Sequence, residues 1–238
     1  MSAPLLYGHR GASAHALENT LGAFARARAD GADGVELDVR LSADGELAVF
    51  HDDDLQRIAG RPGRVADMPW RELAAVALPG GERIPRLDEV LAGTAPMLVN
   101  VEIKRPGARH LRQVVRGVAA SAARTGAAAR VLVSSFDPAA VALTRASTRL
   151  RCGLLFHAGQ GRPLREAWLA RLLRPHALHP ERVLVDAARV ASWRARGYAI
   201  NVWTADEPDE LRRLAGLGVD AIITNDPGAA RAVLGRAQ

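Results

Sequence analysis

Eight short apolar runs, each followed by a longer amphipathic segment, constrain the fold of this chain more than any other feature. Short continuous runs are typical of buried strands, and segments with apolar residues three or four positions apart are typical of helices. The predicted strands are residues 5–8, 34–39, 97–103, 130–134, 152–156, 177–179, 199–203 and 221–224. The predicted helices are residues 20–30, 87–92, 108–124, 138–144, 164–173, 187–196, 207–217 and 228–234.

Repeated strand–helix units predict a parallel sheet with helical crossovers, which is the α/β class. Eight such units in 238 residues match the number and size of a closed (β/α)8 TIM barrel. An open doubly wound sheet is the alternative, but the Gly-rich nucleotide-binding motif of that fold is absent from the sequence. Because no linker or change of composition divides the chain, we predict one barrel domain over residues 1–238.

Residues 40–51 and 53–85 interrupt the repeat. The first segment predicts a hairpin with Asp44 and Gly45 at its turn. If these two are the central turn residues, antiparallel partners have numbers that sum to 89, which places His51 opposite Asp38. The second segment is rich in Gly, Pro and charge, with a short helix expected near residues 70–76. We predict that it forms a small insertion over the C-terminal mouth of the barrel.

Acidic residues alternate with apolar ones on two predicted strands. Glu36 and Asp38 therefore share one face of the second strand, and Glu102 and Lys104 share one face of the next. Carboxylates inside a barrel need a cation or a proton. Cys152 is the only cysteine, so an oxygen-ligated hard cation is favoured. We expect one divalent cation, Mg²⁺ or Ca²⁺, with Mn²⁺ as a further option.

Lys104 is the only lysine among 32 basic residues. A chain that uses arginine at every other basic position indicates that a compact ammonium group is needed beside Glu102. Contact with a phosphate oxygen would explain this preference. The alternative is a buried Glu102–Lys104 ion pair with a structural role.

The first predicted strand ends at His9 and Arg10. Because the carboxyl ends of barrel strands meet at one mouth, these residues should reach the carboxylates and His51. Imidazoles suit proton transfer near neutral pH, and we expect the carboxylates to keep one of them protonated. Arg10 and Lys104 suit phosphate oxygens. Together these groups predict metal-assisted phosphoryl transfer. Trp203 is expected to line the pocket and to pack against a polyol. The alternative is that Trp203 only packs in the core.

The ordered motifs resemble those of the glycerophosphodiester phosphodiesterases. The matching segments are His9-Arg10-Gly11, Glu18-Asn19-Thr20, residues 34–39, Asp44-Gly45, His51-Asp52, residues 101–104, residues 134–137, Val202-Trp203-Thr204 and residues 218–224. The resemblance implies a TIM barrel that hydrolyses glycerophosphodiesters to sn-glycerol 3-phosphate and an alcohol. It also implies a cation held by Glu36, Asp38 and Glu102, and catalysis by His9 and His51. A first attack by the glycerol 2-hydroxyl, giving a cyclic phosphate that water then opens, is implied as well.

The composition limits the classes of molecule that this chain is expected to bind. Aromatic residues are only 4% of the chain and no dense basic run occurs, which disfavours nucleic-acid binding. No apolar run reaches the roughly 18 residues of a spanning helix, and the N-terminus lacks a signal-peptide pattern. We therefore expect a cytoplasmic protein without stable membrane insertion, acting on a small glycerophosphodiester. Two alternatives remain open, a phospholipase D-type enzyme acting on lysophospholipids or sphingolipids and a non-catalytic binding barrel.

Overall fold

Nine strands form one sheet in the computed structural model, which describes residues 3–105 and 110–236. They are β1 (Leu5–His9), β2 (Gly34–Leu41), β3 (Leu47–Val49), β4 (Leu98–Ile103), β5 (Val131–Ser135), β6 (Arg151–Phe156), β7 (Ala177–Pro180), β8 (Ala199–Val202) and β9 (Ala221–Thr224). All except β3 are parallel, and β1 pairs with both β2 and β9, which closes an eight-stranded barrel. The predicted TIM barrel and all eight predicted strands are confirmed.

Helices follow the barrel strands as the sequence predicts. They are α1 (Leu21–Ala29), α2 (Gln56–Ala59), α3 (Trp70–Leu73), α4 (Leu87–Gly93), α5 (Leu111–Arg124), α6 (Pro138–Ser147), α7 (Arg162–Arg165), α8 (Ala170–Leu173), α9 (Ala187–Arg194), α10 (Pro208–Gly216) and α11 (Pro227–Val233). The predicted helix 164–173 is wrong as one element, because Ala167 adopts a φ of 53° between α7 and α8. The predicted start of α5 at residue 108 lies outside the described residues. In the part of the chain that the structure describes, no helix is both long and apolar enough to cross a membrane.

Strand alternation separates an apolar layer from the barrel interior. On β2, Val35, Leu37 and Val39 are fully buried against the helices, among them α1 and α4. Each such side chain contributes roughly 1.5–3 kcal/mol of burial free energy. The residues between them, Glu36 and Asp38, must then point into the barrel. The same packing that stabilises the strand therefore places two carboxylates inside.

The β2–β3 hairpin differs from the prediction by one residue. Val39 pairs with Val49 and Leu41 with Leu47, so the partner numbers sum to 88 rather than 89. Ser42 and Glu46 flank a three-residue loop in which Gly45 has a φ of 91°. As a result, the Phe50 N–H donates to the Asp38 carbonyl oxygen. The predicted pairing of His51 with Asp38 is wrong.

Residues 53–85 form the predicted insertion beside the C-terminal mouth. It contains α2, α3 and two short 3₁₀ turns, Val65–Asp67 and Pro79–Gly81. Its apolar residues pack with Phe50 of the hairpin in a separate buried cluster that includes Leu55, Trp70 and Ile84. The insertion is thereby anchored to the hairpin, whose end carries His51.

Candidate active site

Three buried carboxylates meet inside the barrel near its C-terminal mouth. Glu36 and Asp38 come from β2 and Glu102 from β4, where Asp38 and Glu102 are register partners. One oxygen from each lies within 4.8 Å of the others. The residues are only 3%, 1% and 7% exposed, in the same order. The convergence predicted from strand alternation is present.

Two cations partly balance these acids. Lys104 Nζ lies 2.9 Å from Asp38 Oδ1 and 2.6 Å from Glu102 Oε1. Arg10 Nε lies 3.3 Å from Asp38 Oδ2. Although burial opposes its ionisation, Lys104 and Arg10 hold the pKa of Asp38 well below its usual range. The Lys104 ammonium thus lies between two carboxylates, at the position that the strand face predicted.

Lys104 and Arg10 do not fully compensate the charges of Glu36 and Glu102. Burial, reinforced by the Asp38 charge, raises the pKa of Glu36 well above its usual value and that of Glu102 to about 7. An all-oxygen donor set in a site with more acids than cations is the chemistry that a hard divalent cation requires. The residues present therefore fit a metal such as Mg²⁺ or Ca²⁺.

A sharp turn after β1 positions Arg10. Arg10 itself has a φ of 57°, a left-handed conformation that is uncommon for a side-chain-bearing residue, and Gly11 follows at 89°. The turn lets the Arg10 N–H donate to Glu36 Oε2 at 3.2 Å while its guanidinium donates to Glu18 Oε1 at 2.9 Å. Backbone and side chain of one residue therefore contact the carboxylate cluster.

Asn19 is a site residue that sequence reasoning did not identify. Its Nδ2 donates to Asp38 Oδ2 at 2.9 Å, and it is buried with a φ of 59°. The neighbouring Thr20 caps α1, since its hydroxyl accepts from the Ala23 N–H. In the sequence, the capping role of Thr20 masks the separate role of Asn19.

His9 is held in one tautomer by an oriented amide. Asn225 Nδ2 donates to Asp206 Oδ2 at 2.6 Å, so its Oδ1 faces the ring and accepts from His9 Nδ1 at 2.7 Å. The remaining ring nitrogen, Nε2, lies 4.0 Å from Glu36 Oε2. Nε2 is therefore the nitrogen that can exchange a proton in the pocket. Neither Asn225 nor Asp206 was identified from the sequence.

His51 is held instead by a carboxylate. Its Nδ1 donates to Asp52 Oδ1 at 2.6 Å, and Arg57 Nε donates to Asp52 Oδ2 at the same distance. The contacts with Arg57 and His51 outweigh partial burial and lower the pKa of Asp52 to about 2, so it is ionised at neutral pH. His51 Nε2 is left available to the pocket. The residue lies beyond the end of β3, so the contact with Asp52 rather than the strand fixes its ring.

Burial lowers the pKa of both imidazoles. For His9 the Arg10 charge adds to this effect, and for His51 burial outweighs the opposing attraction of Asp38. Both shifts run against the expectation that neighbouring carboxylates keep one ring protonated.

Apolar side chains from the opposite side of the barrel complete a pocket of about 110 Å³. Trp203 lines it, and its ring lies edge-to-face with Phe136 at a centroid distance of 5.4 Å. Trp203 Nε1 donates to the His179 carbonyl oxygen at 2.7 Å, which fixes the indole. Leu155 and Ile223 line the same wall. Of these residues, only Trp203 was predicted to line the pocket. The others were missed because an apolar residue on a barrel strand cannot be told from a core residue in the sequence.

Asn100 lies on the pocket floor with unused hydrogen-bonding capacity. It is 3% exposed, and neither amide atom has a hydrogen-bond partner among the described residues. Leaving a buried amide unpaired costs free energy, so this side chain is suited to a ligand or ordered water. Asn100 shares a strand face with Glu102, which is the signal that could have identified it.

Comparisons with known proteins agree on one family. The pattern of the "Glycerophosphoryl diester phosphodiesterase family" matches residues 9–229. A glycerophosphodiester phosphodiesterase of Caldanaerobacter subterraneus is 34% identical over 94% of both chains. A Thermotoga maritima glycerophosphodiester phosphodiesterase structure matches with a TM-score of 0.80 at 31% identity, covering 96% of this chain and 97% of the other. An Oleispira antarctica phosphodiesterase, solved with the product sn-glycerol-3-phosphate, matches at 0.88 and 25% identity, covering 98% and 97%.

Proposed function

The chain belongs to the glycerophosphodiester phosphodiesterase family of hydrolases, and from that premise we propose that it hydrolyses glycerophosphodiesters to sn-glycerol 3-phosphate and an alcohol. One observation carries the proposal. Two imidazoles with available Nε2 atoms line a single pocket together with Glu36 and Glu102, Asp38 completes the carboxylate cluster behind them, and the far wall of the pocket is apolar. A phosphodiester with a small polyol arm suits such a pocket, and the product bound to the Oleispira antarctica relative, sn-glycerol-3-phosphate, contains the same polyol and phosphate groups.

Glu36, Asp38 and Glu102 are proposed to hold one divalent cation. When bound, it supplies a positive charge that stabilises the negative charge developing on the phosphate oxygens. Asn19 and Arg10 orient Asp38 and Glu36 by the contacts described above. Mg²⁺, Ca²⁺ and Mn²⁺ all prefer carboxylate oxygens, so the donor set supports a hard cation of this group.

His9 and His51 are proposed to move the two protons that the reaction requires. Phosphodiester hydrolysis needs a base for the attacking oxygen and an acid for the departing alkoxide, on opposite sides of phosphorus. The rings come from different elements, the end of β1 and the end of the hairpin, and both line the pocket. Asn225 and Asp52 fix their tautomers, which leaves Nε2 of each ring for the reaction.

Arg10, Lys104 and Trp203 are proposed to position the substrate. The Arg10 guanidinium and the Lys104 ammonium both contact Asp38. A phosphate oxygen bound beside them would accept a further hydrogen bond from each group. Trp203 and Phe136 present apolar faces on which the carbon atoms of glycerol can pack. Asn100 offers unpaired donor and acceptor groups for a hydroxyl.

Release of glycerol 3-phosphate tests this function. We expect the protein with Mg²⁺ or Ca²⁺ to release it from glycerophosphoethanolamine, and expect His51→Ala and chelator-treated protein not to. Lysophosphatidylethanolamine, assayed in parallel, tests the phospholipase D alternative. Turnover of the lyso-lipid with no turnover of the soluble diester would contradict the proposal, and so would no turnover of either.

A further inference from the structure

A second cavity of about 290 Å³ opens beside the active-site pocket. We call it the basic groove, and define it by Arg40, Asp53, Arg64, Lys104, Arg105 and His110. Lys104 lines both the groove and the active-site pocket, so the two spaces meet at the carboxylate cluster. A substrate arm that leaves the pocket past Lys104 enters this groove.

The groove has a strong excess of positive charge. It is lined by three arginines and one lysine but by a single carboxylate, Asp53, which is already paired with Arg40. Arg64 and Arg105 are exposed, and among residues 3–105 and 110–236 neither has an acidic partner. Their charges are therefore available to a ligand, unlike that of Arg40.

The opening on the other side of the pocket has the opposite character. This wider cavity of about 460 Å³ is reached past His9 and Arg10, and its further charged residues are the acids Glu18 and Asp206. Glu18 is paired with both Arg10 and Arg57, so among the described residues Asp206 is the carboxylate of this opening that has no cationic partner. The two openings thus offer a substrate arm environments of different sign, which is a basis for selection by charge.

We propose that the basic groove is a subsite for a leaving alcohol that carries a negatively charged group of its own, which can be a phosphate or a carboxylate. The inference rests on the proposed function. With the phosphodiester at the carboxylate cluster and glycerol on the Trp203 wall, the second ester arm can extend into either of these two cavities. An anionic arm is attracted toward Arg64 and Arg105 and repelled by Asp206. The protein is therefore selective for glycerophosphodiesters with anionic head groups.

A matched pair of substrates tests the subsite. Glycerophosphoglycerol has a neutral leaving alcohol, and bis(glycerophospho)glycerol has the same alcohol extended by one anionic phosphodiester. We expect kcat/KM per scissile bond to be about fivefold or more higher for the anionic substrate at low ionic strength. The preference should fall in 0.5 M NaCl, because salt screens exposed charges beyond about 4 Å at this concentration.

Charge removal in the groove should abolish that preference. The double variant Arg64→Ala/Arg105→Ala is expected to lower the anionic-to-neutral ratio of kcat/KM about fivefold, while Arg71→Ala, on an 85% exposed side chain of the same insertion, leaves it unchanged. An unchanged ratio in the double variant, or a wild-type preference for glycerophosphocholine, overturns the subsite. Hydrolysis of neither diester by the wild type would instead overturn the proposed function. All three arginines are exposed, so folding is not at issue.

Discussion

The two halves of the barrel contribute different things to one pocket. Strands β1, β2 and β4, with the hairpin, carry the charged and titratable lining residues, which are His9, Arg10, Glu36, His51, Glu102 and Lys104. Strands β6, β8 and β9 and the end of β5 contribute Leu155, Trp203, Ile223 and Phe136. We call these the charged half and the apolar half.

The difference separates the chemistry of the reaction from recognition of the glycerol arm. In the charged half, burial of three carboxylates opposes folding and is offset in part by Arg10 and Lys104, with the remainder assigned to the proposed cation. In the apolar half, the pocket wall is continuous with ordinary packing and carries no such cost. Changes in the charged half should therefore alter the rate of chemistry, and changes in the apolar half should alter stability and the discrimination between glycerol arms.

Metal removal should have the largest effect. A chelator is expected to abolish activity, and Mg²⁺, Mn²⁺ or Ca²⁺ to restore it, because the cation offsets the charge of Glu36, Asp38 and Glu102. A thermal-shift measurement without substrate supplies an independent readout, since a bound cation raises the melting temperature.

Glu36→Gln sharpens the same prediction. It should weaken the metal-induced thermal shift, yet leave the free energy of unfolding of metal-free protein unchanged or higher. The reason is that burial raises the pKa of Glu36, so the metal-free site disfavours the charged carboxylate and accepts a neutral amide at no extra cost. Full activity in metal-free wild-type protein would contradict the role of the charged half.

The histidine variants come next in size. His9→Ala and His51→Ala should each lower kcat by roughly 10²–10⁴-fold, the usual range for acid–base groups. The double variant should be little worse than either single variant, because the two rings act on one reaction. His15→Ala provides the control, since that exposed ring contacts Asp226 outside the pocket. Wild-type turnover in either single variant would show that its ring is not needed.

Lys104→Arg should have a smaller effect that depends on shape rather than charge. The ammonium fits between Asp38 and Glu102 at 2.9 and 2.6 Å, a space that a planar guanidinium cannot occupy in the same way. We expect kcat/KM to fall about tenfold, which corresponds to about 1.4 kcal/mol of transition-state stabilisation. An unchanged kcat/KM would support the alternative that the lysine is only a structural partner of Glu102.

The smallest effect concerns stability in the apolar half. His179 is fully buried, its Nε2 lies 3.1 Å from Asn201 Nδ2, and burial lowers its pKa to about 3. The unfolded chain binds a proton below about pH 6.5 and the native ring does not, so stability falls as pH falls through this range. We expect His179 to account for about 2 kcal/mol of the loss between pH 6.5 and 5.

Urea unfolding at several pH values measures this contribution. His179→Gln should flatten the dependence of the unfolding free energy on pH, whatever its effect at pH 7. His110→Gln, which removes an exposed ring, serves as the matched control. A slope in His179→Gln equal to that of the control would show that burial of the ring is not the cause.

The charged half could be predicted largely from the sequence, and the apolar half could not. Glu36, Asp38 and Glu102 alternate with apolar residues inside strands, where a carboxylate has few physical explanations. Phe136 and Leu155 occur where an apolar residue is expected in any barrel. Only the closed three-dimensional arrangement distinguishes a pocket wall from core.

The hairpin register shows a second limit. Asp44-Gly45 suggests a two-residue turn, but Asp44 Oδ1 accepts from the Ser42 hydroxyl and from the Trp70 N–H. The Trp70 contact comes from the insertion, 26 residues along the chain. A turn that is set by such a distant partner cannot be derived from its own residues, although His51 still reaches the pocket.

Substrate discrimination tests the division between the halves most directly. The measurement compares kcat/KM for glycerophosphocholine with that for its 2-hydroxyethyl analogue, which lacks only the terminal CH₂OH of glycerol but keeps the hydroxyl next to the ester. A group of this size is worth roughly 10–200-fold in a fitted pocket. Trp203→Ala should reduce the ratio toward unity, while Lys104→Arg should lower both values and preserve the ratio. A preserved ratio in Trp203→Ala, or a ratio lost in Lys104→Arg, would contradict the account.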